Sequence, residues 1–140
     1  MISFQSEGVE IPKLDFKKIS AWLNEVASSE GRRVGNIVYR FCSDEVILQT
    51  NRDFLNHDYY TDIITFDYSI GSKIGGDILI SLDTVRSNAD SLGMDFFDEL
   101  HRVVVHGVLH LCGINDKSPE ERREMESAEN RALDMLRDLD

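Results

Sequence analysis

The sequence predicts an α+β domain in which a small sheet is covered by helices. Three observations carry that expectation. Short runs rich in β-branched and aromatic residues are interspersed with amphipathic stretches of helical period. Two long helical patterns follow one another at the end of the chain. The 140 residues also suit one compact unit, residues 1–140, with no need of a second.

Residues 1–5 read as a short strand. Pro12 sits where a helix can begin, because its missing N–H is not needed there. Phe16, Ile19, Ala21, Trp22, Leu23 and Val26 then fall mainly on one helical face, and Ser29, Glu30 and Gly31 end the element. Residues 37–41 form the next strand. Ser43 caps a helix with Asp44 and Glu45 in its first turn, and Val46, Ile47, Phe54 and Leu55 supply its apolar face. Residues 63–66 and 77–81 are strands of an antiparallel hairpin, with Gly71, Gly75 and Gly76 marking the turn between them. Asp83 opens a helix running to Gly93, and Asp95 caps a longer one running to about Cys112. Ser118, Pro119, Glu120 and Glu121 make a capping box with Pro at the first helical position. The last helix then carries an apolar stripe of Met125, Ala128, Ala132, Leu133 and Leu136. No internal repeat or low-complexity segment interrupts this order.

Composition narrows the function. Hydrophobic residues at 41% and charged residues at 29% are ordinary for a globular domain. No apolar run approaches the length of a membrane span, and the N-terminal residues lack the pattern of a signal peptide. Cys42 and Cys112 do not make a disulfide framework; they read as reduced thiols of a cytoplasmic protein. A net charge of −11 argues against a broad electrostatic grip on nucleic acid. Any RNA binding must concentrate its basic groups locally. Arg32, Arg33 and Arg40 lie close together in sequence, and Arg52, Lys73, Arg86 and Arg102 are scattered.

The chemistry concentrates in residues 106–116. His106 and His110 stand four apart on an apolar helix, so both imidazoles share one face and can reach one metal ion. Gly113 can take the left-handed conformation that ends a helix, and Asp116 follows where a carboxylate can close the site. A histidine pair of this spacing also occurs as a solvated or core pair, and Asp116 also suits a turn or cap. Val103, Val104, Val105, Val108, Leu109 and Leu111 make the helix apolar on most sides, and polar rings in such an element need a reason. The ligand spacing is also that of metzincin proteases. Gly107 stands where such a protease carries its general-base Glu, so the peptidase reading loses its chemistry.

The motif resembles the signature of the YbeY family of bacterial rRNA-maturation endoribonucleases, H-G-x-L-H-L-x-G-x-D-H. The resemblance extends to Asn51 with residues 57–66, to the Gly-Asp-Ile-Leu-Ile-Ser strand at 76–81, and to Met125 with Glu129 in the last helix. It implies a mixed sheet of about four strands and a zinc ion held by His106, His110 and Asp116. It also implies single-strand-specific cleavage in 16S rRNA 3′-end maturation and ribosome quality control, with ribosomal RNA, the ribosome and ribosomal proteins as cytoplasmic partners. Two positions depart from the family pattern. Asp116 replaces the usual third histidine, which leaves a less positive centre. Leu55 replaces an arginine thought to assist catalysis. Arg52 and Arg102 are the candidate substitutes, Arg102 with Glu99 as a competing partner; either is equally readable as a surface cation or as half of an ion pair. His57 reads as a loop histidine, Asp62 as a turn residue and His101 as a non-ligand. A ribosome assembly factor with a mainly structural metal is the alternative function.

Overall fold

The computed structural model describes residues 1–55 and 61–139. Its elements run β1 (Ile2–Glu7), α1 (Phe16–Ser29), β2 (Arg33–Cys42), α2 (Asp44–Phe54), β3 (Ile63–Asp67), β4 (Lys73–Ser81), α3 (Leu82–Leu92), α4 (Phe96–Leu111) and α5 (Pro119–Asp138). The strands form one sheet in the order β1-β2-β4-β3. β1 pairs parallel with β2, and β2 parallel with β4. The expected hairpin is the antiparallel edge: Ile63 lies opposite Ile80 and Thr65 opposite Ile78. A four-stranded mixed sheet with five helices is the α+β architecture that the sequence predicts.

Alternation along β2 builds the main core. Ile37, Tyr39 and Phe41 are buried on one face. Trp22, Leu23 and Val26 of α1, Val104 and Val108 of α4, and Met125 and Ala128 of α5 join them in a single cluster. Polar tips are paired inside it, as burial requires. The Tyr39 hydroxyl donates to the Val104 carbonyl at 2.6 Å. The Trp22 indole N–H donates to the Ala132 carbonyl at 2.7 Å. A smaller cluster of Cys42, Ile47, Ile64 and Leu79 seats α2 separately. Among the described residues no helix is long and apolar enough to cross a membrane.

Several expectations shift. α1 begins at Phe16, because Asp15, not Pro12, caps it by accepting from the Lys18 amide. β2 is ten residues long, with a register irregularity between Val34 and Ile37. Gly75 and Gly76 lie inside β4: the chain reverses earlier, where Ile70 and Lys73 pair and the Tyr68 amide donates to the Gly75 carbonyl. α3 is capped by Ser81, with Asp83 in its first turn accepting from the Asp44 amide. Phe54 is 73% exposed and meets Phe66 edge-on; Ile47 and Asn51 form the buried face of α2 instead.

Candidate metal centre and active-site cavity

α4 is the spine of the site. Its Asp95 cap accepts from the Phe97 and Asp98 amides, and a buried stripe of valines and leucines seats it on the sheet. Gly107 packs against β4. A Cβ there would stand 2.9 Å from Ile78 Cδ1 and 3.1 Å from its Cγ2. A side chain at 107 would crowd the Ile78 and Ile63 side chains, which would have to shift to admit it. The close approach sets His106 and His110 along a cavity of about 610 Å³ beside the start of β3.

Gly113, at φ 101°, turns the chain after α4, with its amide on the His110 carbonyl and the Ile114 amide on that of Leu109. The reversal carries Asp116 back to the helix, where its Oδ2 lies 3.2 Å from Nε2 of His106. The other ring nitrogen, Nδ1, meets Oε2 of Glu129 at 2.7 Å. A carboxylate only accepts, so Nδ1 donates to Glu129, while Nε2 faces Asp116, which likewise can only accept. Arg102 completes the chain: Nη1 donates to Oε1 of Glu129 at 2.9 Å and Nη2 to Oδ1 of Asn130 at 2.8 Å.

The three expected ligand residues, His106, His110 and Asp116, thus line one cavity, together with Arg102, Glu129, Glu99 and Asp62. Among the described residues no group of three or more His, Cys, Asp or Glu stands in an arrangement that could hold a metal ion. The donor set nevertheless fits a divalent cation: two imidazoles, one carboxylate, and an outer carboxylate fixing the tautomer of one imidazole.

Arg52 does not line the cavity; it lies on α2, which packs against the separate cluster. Leu55 ends the same helix. His57 lies outside the described residues. Arg102 reaches the cavity, with Glu129 and Asn130 rather than Glu99 as its hydrogen-bond partners. His101 stands edge-on to Trp22 on another side of α4, away from this cavity. Burial pushes the Cys112 thiol up to about 11, which keeps it protonated in the core.

Electrostatics divide the cavity groups. Burial pulls the His106 pKa down, but the Glu129 hydrogen bond and charge, with Asp116 and Asp62, outweigh it and hold the pKa above the usual value. Asp62 is held above the ordinary carboxylate range, by burial first; nearby His106 and hydrogen bonds from backbone amides moderate the shift. It also faces the cavity. Glu99 is only 6% exposed, and its Oε1 has no hydrogen-bond partner. Burial, then Asp62 and Glu129, raise its pKa against the pull of Arg102. Two signals pointed to these groups. Glu99 stands seven residues before His106, two turns along the same face. Glu129 is the acidic residue of the Met-x-x-x-Glu spacing, on the buried side of α5.

The family model described as Endoribonuclease YbeY matches residues 1–137. A protein of Phocaeicola vulgatus named Endoribonuclease YbeY is 59% identical over 136 residues, 97% of this chain and 99% of that protein. A Bacteroides thetaiotaomicron protein of the same name is 57% identical, covering 96% and 98%. The solution structure of TM1509 from Thermotoga maritima superposes with a TM-score of 0.65 at 25% identity, over 97% of this chain and 89% of that one. The chain belongs to the endoribonuclease YbeY family.

Proposed function

We propose that this chain is a single-strand-specific endoribonuclease of rRNA maturation and ribosome quality control. It would act on the 3′ end of 16S rRNA in the cytoplasm, with ribosomal proteins as neighbours. One Zn²⁺ would be held by His106, His110 and Asp116. The observation that carries this reading is the His106 ring, fixed by Glu129 on one nitrogen and facing Asp116 with the other, beside His110 at an open cavity.

When bound, zinc would polarise a phosphoryl oxygen and make water a better nucleophile. The chain's own residues do the rest. Glu129 holds the His106 tautomer, and Arg102 holds Glu129. The N–H groups that Arg102 does not spend on α5 can meet a phosphate oxygen at the cavity edge. Asp62 and Glu99, both held above their usual pKa by burial, are the cavity carboxylates that can accept a proton. A mainly structural ion would be enclosed by four protein donors. Imidazoles that border a cavity of about 610 Å³ favour the enzyme over the assembly factor.

Metal analysis and digestion of a defined rRNA precursor test the proposal. Wild-type protein should hold about one zinc per chain and cut the precursor. His110→Ala should lose the metal, and His106→Ala should lose both metal and cutting. Stoichiometric zinc in His110→Ala, or equal cutting by His106→Ala, would overturn it.

A further inference from the structure

A second groove, of about 600 Å³, lies between the residues leading into α1, the first turns of α4 and the end of α5. Arg102 lines both this groove and the cavity of the histidines, so one side chain stands at the border of the two. In a chain of net charge −11, the groove is bordered by Lys13, Lys18, Arg102 and Arg137 against only Asp15 and Asp98. The lining itself holds four cations and two carboxylates, with Glu129 and Asp134 paired to Arg102 and Arg137 from outside it. Asp15 is engaged as the cap of α1. The Arg137 pair with Asp134 is largely exposed on both sides, and such pairs exchange partners at little cost. Between the cations the groove presents apolar surface, with Phe97 40% exposed and Met94 37% exposed.

We propose that this groove carries the single-stranded RNA flanking the scissile bond. Lys13 and Arg137 meet backbone phosphates, Phe97 offers a ring on which a base stacks, and Arg102 marks the passage into the cavity. Cations beside an exposed aromatic ring suit single strands, whose phosphates and base faces are both accessible. The proposal rests on the endoribonuclease reading and adds to it where the substrate lies. It also accounts for an acidic protein acting on a polyanion: the basic groups that matter come from three elements distant in sequence.

The test compares metal-loaded wild type with Lys13→Glu/Arg137→Glu and with Phe97→Ala. Binding of a fluorescein-labelled single-stranded 12-mer RNA is followed by anisotropy across a salt series. Cleavage of the 12-mer and of a dinucleotide is measured in parallel. The charge reversal should weaken 12-mer binding at least tenfold and lower the salt slope by about 0.7 for each phosphate that is no longer neutralised. Phe97→Ala should weaken binding roughly tenfold without changing the slope. The preference of wild type for the 12-mer over the dinucleotide should collapse in the charge-reversed variant. Unchanged affinity and slope in that variant would overturn the proposal. So would loss of binding to polyglutamate with RNA binding intact, which would make the groove a site for an acidic protein. If wild type cuts neither substrate while the variant still loses RNA affinity, the groove stands and the nuclease reading falls.

Discussion

Glu129 is the residue on which the site turns. One carboxylate oxygen holds His106 and the other holds Arg102, so a single side chain sets the ring's orientation and occupies the guanidinium. Glu129→Gln preserves the shape and removes the charge. Chelator competition should show zinc affinity falling by about 10–100-fold, the usual cost of losing an outer carboxylate. Unchanged affinity would mean that the ring is held by packing alone. The candidate ligands were readable in the sequence because the spacing of His106, His110, Gly113 and Asp116 is local. The partners of His106 were not. Glu129 lies 23 residues on and Asp62 precedes the hairpin; their meeting depends on how α5 and β3 pack, which no local period encodes.

At the scale of elements, the caps at Ser43, Asp95 and Ser118 were legible because the cap residue and the amides it serves are close in sequence. The start of α1 was not. Proline tolerates a first helical turn, but Asp15 offers an acceptor to an orphan amide, and the acceptor decides. The apolar face of α2 differs from its sequence pattern because the sheet beneath it covers only Ile47 and Asn51 fully, leaving Phe54 at the rim. The contact of α4 with the sheet can be tested at Gly107. Alanine is the better helix former by about 1 kcal/mol. The overpacking against buried Ile78 costs about 1–3 kcal/mol. Gly107→Ala should therefore lower stability by about 1 kcal/mol and, by tilting His106, reduce cutting. A stabilised, fully active variant would show that Ile78 yields freely.

The whole molecule carries two opposed histidine titrations. In metal-free protein His106 has its pKa raised above the ordinary 6.5, so it binds more protons folded than unfolded. Its contribution to stability is complete below 6.5 and fades as pH rises through the folded value. Burial lowers the pKa of His101, so its contribution is present above 6.5 and fades as pH falls through the folded value. Urea midpoints in chelator should show His106→Asn losing more stability at pH 6 than at pH 8. His101→Asn should instead soften the decline on acidification. Parallel pH trends in the two variants would contradict this assignment. At the same scale, the fold class was legible from the order of elements, but the strand order β1-β2-β4-β3 was not. Parallel pairing joins segments more than thirty residues apart, and the sequence marks that they are strands without marking which lie side by side.

The indole of Trp22, tied to the Ala132 carbonyl, has a practical corollary. It is the lone tryptophan of the chain, and it is anchored to the helix that bears Glu129, one turn away. Any loosening of that helix exposes the fluorophore to water and withdraws the carboxylate from the His106 imidazole in one movement. Intrinsic emission is thus a built-in gauge of whether the active site is assembled, readable without a label or a substrate.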